Sequence, residues 1–180
     1  MWLPEDHSEL QTPSRRVFNA LMVVAFAAAL GGCLQPMYGG VAGQQLQKDL
    51  TTIRIEPIPH RMGHYLANEL GFLLNGSGSE VTPRYRLIIT IREKIQSPLV
   101  DSITGRATSG TLLVDADYRL VPSGQETAIT QGTAFGSASY DRSSQRFANI
   151  RAARDAEIRV AKLLAEQIQT RLATALADRN

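Results

Sequence analysis

A disulfide framework is excluded by the sequence, because its 180 residues contain a single cysteine, Cys33. A Gly-x-Ser-x-Gly nucleophile elbow, a phosphate-binding loop and a dinucleotide-binding glycine fingerprint are also missing. Histidine is scarce: His7 lies in the N-terminal segment considered below, which leaves His60 and His64 as the candidate bases. The sequence therefore predicts no catalytic residue, no enzyme activity and no cofactor, and a fold that is stabilised by packing alone.

Two pairs of polar side chains have spacings that occur in reactive sites. His60 and His64 are four residues apart, as in some helical zinc sites, but no glutamate lies between them and no cysteine is available. Asp115 and Asp117 share one face of a predicted strand, about 7 Å apart, where alternating charges are usually only solvated. We therefore predict no metal site and no catalytic acid pair.

The sequence also lacks an apolar run of ordinary transmembrane length. The run Val17–Gly32 would reach about 24 Å as a helix, whereas a bilayer core is about 30 Å thick, and it contains Asn19. A transmembrane helix and a buried core helix are alternatives, but the second leaves the preceding Arg15-Arg16 pair and the following cysteine unexplained. A basic pair, a short apolar run and small residues at a cleavage site indicate a secretory signal peptide. Residues 1–32 are therefore predicted to be a signal peptide.

The end of this run, Leu30-Gly31-Gly32-Cys33, resembles the lipobox of bacterial lipoproteins. The resemblance implies cleavage before Cys33, a thioether-linked diacylglycerol on its sulfur and a further acyl chain, such as palmitate, on the new amino terminus. Each buried methylene contributes about 0.8 kcal/mol, so two or three acyl chains hold a protein firmly on a membrane. Leu34, rather than an aspartate, follows the cysteine, which favours the outer membrane in lipoprotein sorting. The export route and the true start codon stay open, because Ser14–Phe18 resembles the twin-arginine motif, which tolerates long leaders.

The rest of the chain has the size of one domain. The formal net charge of +2 gives no argument for a nucleic-acid partner, although it permits local basic patches. Residues 33–48 contain a proline and three glycines and show no steady period, so they are predicted to be a lipidated tether. Residues 49–180 are predicted to form a single α/β domain.

Apolar residues recur with two different periods in this domain. Alternation predicts strands at residues 51–56, 85–95, 111–121 and 127–140. Spacings of three and four predict two helices, one over Met62–Leu73 and a longer one from about Ser144, with a break near residues 151–155. The order β-α-β-β-β-α predicts an α+β protein: a two-layer α/β sandwich in which two helices cover one face of a mixed sheet of about four strands.

Three cations lie close together in the predicted fold. Arg92 and Lys94 are at the end of one strand, and Arg106 is in the loop that follows. Arginine binds phosphate through paired hydrogen bonds and lysine binds it as a point charge. The alternative is a solubilising edge, since lysine and arginine also protect edge strands from aggregation.

Several motifs, in their order and spacing, resemble the family of the lipopolysaccharide-assembly lipoprotein LptE. The opening Cys33-Leu-Gln-Pro-Met-Tyr-Gly39 is similar to the family's cysteine followed shortly by Pro-Leu-Tyr-Gly, with Leu34 and Met37 as small departures. Tyr65-Leu-Ala-Asn-Glu-Leu70 is similar to the first-helix segment of the family. The closing similarities are Ala138-Ser-Tyr140, Phe147-Ala148 and Asp155-Ala-Glu157, followed by the long helix.

The resemblance implies a fold and a function. It implies a two-layer α/β sandwich, anchored by lipid at the periplasmic face of the outer membrane, that plugs the β-barrel LptD and takes part in lipopolysaccharide insertion into the outer leaflet. Basic side chains bind lipopolysaccharide in this family, and we hypothesise that Arg92, Lys94 and Arg106 do so here. The alternatives are a lipid-anchored periplasmic binding module for another envelope ligand, without a barrel partner, and a lipid-anchored hydrolase, which lacks a credible nucleophile and base.

Overall fold

The computed structural model describes residues 40–76, 78, 81–97 and 108–179. Their elements are α1 (Gly40–Thr51), β1 (Ile53–Ile55), α2 (His60–Asn75), β2 (Tyr85–Gln96), β3 (Ser109–Pro122), β4 (Thr130–Asp141) and α3 (Arg146–Ala177). The predicted signal peptide, Cys33 and Arg106 lie outside the described residues. None of the described helices combines the length and the apolarity that a membrane crossing requires.

The sheet has four strands in the order β1-β2-β3-β4. β1 pairs with β2 in parallel, and β2, β3 and β4 form an antiparallel meander. This arrangement confirms the predicted α+β fold with a mixed four-stranded sheet. The strands form where the sequence alternates, because alternation places apolar side chains on one face of a sheet and polar side chains on the other.

The helices cover one face of this sheet, which we call the inner face. β3 contributes a row of buried alternate residues, Leu112, Val114, Ala116, Tyr118 and Leu120. α3 packs on the sheet with a line of buried residues four apart, Ala156, Val160, Leu164, Ile168, Leu172 and Leu176. α2 adds Met62, Leu66, Leu70 and Leu74 at the same spacing. Burying one such leucine stabilises the fold by roughly 1.5–3 kcal/mol, so these lines carry the hydrophobic core.

Two predictions about the helices are wrong. Residues 33–48 were predicted to be a lipidated tether, but their described part, residues 40–48, is helical: α1 begins at Gly40, and Leu46 and Leu50 of this helix are buried in the core. The glycines of this segment obscure its helical spacing. The predicted break near residues 151–155 is also absent, since α3 runs without interruption from Arg146. Alanine and arginine dominate that stretch, and both favour helix.

Small residues in β4 bring α3 close to the last strand of the sheet. A Cβ atom on Gly136 would lie 2.9 Å from Cγ1 of Val160, closer than packed carbon atoms approach. Three α3 side chains then reach main-chain carbonyl oxygens of β4 that point away from β3. Arg159 donates to Ser139 at 3.0 Å, Gln167 to Phe135 at 3.0 Å and Arg171 to Thr133 at 2.6 Å. The helix thereby covers this edge.

The opposite edge of the sheet, formed by β1 and β2, has no such cover among the described residues. β1 pairs only with Tyr85, Arg86 and Leu87, at the beginning of β2. Pro57 and Pro59 follow β1 closely, and proline cannot donate to a β-ladder, so the strand stops there. β2 continues to Gln96. Most of β2 is therefore an edge of the sheet.

Candidate functional site

The face of the sheet without helices, which we call the outer face, carries Arg92 and Lys94. Arg92 lies directly opposite Asp115 in the register, but its guanidinium donates to the carboxylate of Asp117, a diagonal neighbour on β3. Asp117 also accepts a hydrogen bond from Oγ1 of Thr133 at 2.6 Å. The Arg92 charge is therefore compensated within the sheet.

This ion pair also determines the environment of Asp117. The hydrogen bond from Arg92, followed by that from Thr133, lowers the pKa of Asp117 below its ordinary value. A carboxylate that is held ionised in this way cannot serve as a general acid near neutral pH. That Asp115 and Asp117 are not a catalytic pair stays a prediction from the sequence.

Lys94 differs from Arg92 in having no compensating charge. It lies opposite Leu113 in the register and is exposed on the outer face. Among the described residues it has neither an ion pair nor a hydrogen-bond partner. The predicted basic cluster is thus uneven: Arg92 is paired, Lys94 is free within the described part of the chain, and Arg106 lies outside it.

His60 and His64 occupy the first turns of α2. His60 has a positive φ of 67° directly after Pro59, and both side chains are exposed. Nε2 of His64 lies 3.2 Å from Nδ2 of Asn68, one turn further along the helix. Within the described ranges no group of three histidine, cysteine or acidic side chains is arranged to hold a metal ion.

A buried charge lies between the two layers beside the start of α2. Glu157 of α3 is 8 % exposed, and Arg61 donates to both of its carboxylate oxygens, at 2.7 and 2.5 Å. Glu93, which projects from β2 toward the same cluster, has its pKa raised by partial burial and by the negative charge of Glu157. A bidentate pair of this kind satisfies both oxygens of a buried carboxylate, so the cluster has a structural role.

The structure also presents a basic surface that the sequence analysis missed. Phe147, Ile150, Arg151, Arg154 and Ile158 recur at helical spacing on α3, and we call this surface the α3 basic face. Phe147 is 83 % exposed, and the two arginines have no ion-pair partner among the described residues. The spacing could have revealed the face, but the predicted helix break in this stretch hid it.

The position of the α3 basic face has an electrostatic consequence. No acidic residue lies in the first turn of α3, and cations near a helix N-terminus are unfavourable because that end of the helix dipole is positive. Arg151 and Arg154 lie beyond that first turn, so the positive potential of the α3 basic face comes mainly from the arginines themselves. An anion bound there would offset their charge, and Phe147 offers an apolar contact next to it.

Comparisons with known proteins agree with the sandwich. A crystallised lipoprotein from Caulobacter crescentus superposes with a TM-score of 0.63 at 25 % identity, covering 76 % of this chain and 98 % of that one. A minor lipoprotein from Acinetobacter baumannii shares the fold, with a TM-score of 0.50 at 14 % identity, covering 68 % and 90 % of the two chains. No functionally curated protein matches the sequence. Residues 50–172 match the family described as LptE, lipopolysaccharide-assembly, and the chain therefore belongs to the LptE family.

Proposed function

We propose that this chain is a non-catalytic lipoprotein of the outer membrane that plugs an LptD-type β-barrel and takes part in lipopolysaccharide insertion into the outer leaflet. In this proposal Cys33 carries the lipid anchor, and the domain faces the periplasm. Residues 1–32 are the signal peptide, which is cleaved off before Cys33.

The observation that carries the proposal is the extent of the family match. Residues 50–172 include the whole sheet, all of α2 and most of α3, so the similarity concerns the complete sandwich and not one local motif. The likeness to the Caulobacter lipoprotein covers nearly all of that chain and supports the same conclusion.

The outer face of the sheet is compatible with a plug. A barrel lumen is polar and water-filled, so a protein inside it has to present a polar surface that is already folded. The outer face carries Thr111 hydrogen-bonded to Ser139, and the network of Arg92, Asp117 and Thr133. Hydrogen bonds within the sheet hold these polar groups in place before any partner arrives.

Purification of the full-length chain from outer membranes in mild detergent tests this function. We expect an outer-membrane barrel to co-elute in stoichiometric amount, and mass spectrometry to find an acylated Cys33 as the first residue. Cys33→Ser is the control, which should abolish the acyl mass while the domain still folds. Acylated chain that elutes without a barrel would instead support the second reading, a lipid-anchored module for another envelope ligand.

Two basic surfaces are candidates for lipopolysaccharide binding. The hypothesis from the sequence assigns binding to Arg92, Lys94 and Arg106. The α3 basic face supplies Arg151 and Arg154, which have no ion-pair partner among the described residues and lie beside exposed apolar side chains. Lipopolysaccharide joins phosphates to acyl chains, so a surface with both kinds of group has the matching chemistry.

Charge reversal separates the two surfaces. We expect the triple substitution Arg92→Asp, Lys94→Asp and Arg106→Asp to weaken lipopolysaccharide binding by the purified chain by about tenfold or more, since several charge-assisted contacts are lost. Arg54→Asp, Lys162→Asp and Arg179→Asp make a matched control with the same change of net charge elsewhere. Unchanged affinity in the first triple, with a loss in Arg151→Asp and Arg154→Asp, would move the assignment to the α3 basic face.

A further inference from the structure

The free side of β2 exposes main-chain groups in a regular series. The N–H of Glu56 donates to the carbonyl oxygen of Leu87 at 3.0 Å, so the main-chain groups of Leu87 point away from β3. Alternate residues of an antiparallel strand point the same way. The N–H and C=O groups of Ile89, Ile91, Glu93 and Ile95 therefore point outward as well, and we call this segment the open edge.

Nothing in the described part of the chain pairs with the open edge. β1 reaches only as far as Leu87, and no other described backbone or side-chain group bonds to the outward groups of Ile89–Ile95. At about 3.3 Å per residue the segment is about 23 Å long, enough for a full strand. A row of unpaired donors and acceptors of this length is a template for strand addition.

The side chains of the open edge set the chemistry of an incoming strand. On the inner face Ile89 is buried, Ile91 is half-buried and Ile95 is 62 % exposed, so apolar surface remains uncovered beside the edge. Glu93 lies between Ile91 and Ile95 on this face, near Arg61 and Glu157. On the outer face Lys94 lacks a partner among the described residues. A neighbouring strand would therefore fit best with apolar side chains toward the helices and an acidic side chain beside Lys94.

A second copy of this chain does not meet that requirement. If β2 paired with another β2 about a two-fold axis through Glu93, the two glutamates would face each other, and Arg92 would face Lys94. With the axis through Arg92, the two arginines would meet instead. Like charges directly opposite each other destabilise a strand pair. With the axis through Ile91 no like charges meet, but Lys94 then faces Ile88. None of these three registers places an acidic side chain beside Lys94, so a different chain fits the edge better.

We propose that the open edge of β2 is a docking edge for one extended strand of another protein, with apolar residues on its helix-facing side and acidic residues on the side next to Lys94. The main chain supplies the binding energy through alternate hydrogen bonds, and the charge of Lys94 supplies the selectivity. The inference goes beyond the proposed function, because it does not require that the strand come from the barrel.

Hydrogen exchange with two nine-residue peptides tests the proposal. The full-length chain in mild detergent is mixed at millimolar concentration with a peptide of alternating valine and aspartate, or of alternating valine and lysine. We expect the first peptide to slow the exchange of the Ile91, Glu93 and Ile95 amides by about tenfold or more and the second to leave it unchanged. Equal effects of the two peptides, or no effect of either, would overturn the proposal. So would protection of these amides in the free chain, since the edge would then already be paired.

Ile95→Pro provides a test that leaves the β2–β3 ladder intact, because the N–H of residue 95 points outward. This variant should bind the valine–aspartate peptide about tenfold more weakly or worse. Ile95→Ala is the matched control: it keeps the N–H and removes the side chain, and it should bind within about threefold of the parent chain. Equal binding by the proline variant and the parent would show that the main chain of this edge is not used.

Discussion

The two edges of the sheet differ in whether their outward main-chain groups have hydrogen-bond partners. At the β4 edge, Arg159, Gln167 and Arg171 of α3 occupy three main-chain carbonyl groups. At the β2 edge, the outward main-chain groups of Ile89, Ile91, Glu93 and Ile95 have no partner in the described part of the chain. Natural sheets usually cover or shorten their edges to avoid uncontrolled pairing. A fold that covers one edge so thoroughly and leaves the other free has one side of the sheet available for association.

The largest expected effect comes from separating α3 from β4. Gly136→Ala would place its Cβ atom 2.9 Å from Val160 and 3.3 Å from Leu164, so the helix has to move away from the strand. We expect the free energy of unfolding to fall by about 1–3 kcal/mol in urea titrations, as for other overpacked cores.

Gly71→Ala is the control for this glycine substitution. Gly71 lies in α2, and an added Cβ atom there has no neighbour within 4 Å. Alanine should raise the free energy of unfolding by about 0.5–1 kcal/mol, because it favours helix over glycine. A Gly136→Ala chain as stable as the parent would mean that the β4 edge does not depend on close approach of the helix.

A moderate effect on stability is expected when the side chains of α3 that bond to β4 are removed while the packing of α3 on the sheet is kept. In the triple variant Arg159→Ala, Gln167→Ala and Arg171→Ala, the β4 carbonyls lose their donors, and each bond contributes about 0.5–1.5 kcal/mol at most. Because these side chains are exposed, we expect only about 1 kcal/mol in total. The diagnostic change is association: sedimentation velocity should detect concentration-dependent dimers through the newly freed β4 edge.

Arg151→Ala with Arg154→Ala is the matched control for this loss of positive charge. Both arginines are exposed on α3 but contact no carbonyl of β4. This pair should remain monomeric under the conditions in which the triple variant associates. Association of both variants alike would assign the effect to net charge and not to the edge.

The smallest effect concerns Glu93, the charge that points inward at the open edge. Partial burial and Glu157 raise its pKa above its ordinary value, while His60 and Arg61 lower it. A carboxyl group whose pKa is raised by folding binds its proton more tightly in the folded state, so it reduces stability as pH rises through its titration. Glu93→Gln should therefore stabilise the chain at pH 7 by less than about 1 kcal/mol, given the exposure of the site. The gain should vanish below about pH 4 in unfolding titrations.

The sequence predicted the sheet well and the charged surfaces poorly. Strands β2, β3 and β4 were predictable because their apolar residues alternate over long stretches, and the α+β fold and the family are both confirmed. The partner of Arg92 was not predictable. It depends on the register between β2 and β3 and on a diagonal reach to Asp117, past the directly opposite Asp115.

Two helical features were missed for local reasons. α1 contains Gly40 and Gly43, which are typical of loops, and its Leu46 and Leu50 become a helical stripe only when the tertiary core is present. The α3 basic face was hidden because a helix break was predicted in this stretch. The roles of Cys33 and Arg106 stay predictions from the sequence.

The three α3 side chains that cover the β4 edge reach it because the rise of the helix matches the rise of the strand. Four residues of helix advance about 6.0 Å and two residues of strand about 6.6 Å, so successive turns of α3 meet successive outward carbonyls with little mismatch. Every fourth residue of α3 matches every second residue of β4. Leu163 lies between Arg159 and Gln167 in this series, and by the same spacing its counterpart on β4 is Ser137. Inserting or deleting one residue between Arg159 and Arg171 would turn the later donors by about 100° away from the strand. That short stretch of helix is therefore fixed in length, while a surface loop elsewhere tolerates insertions.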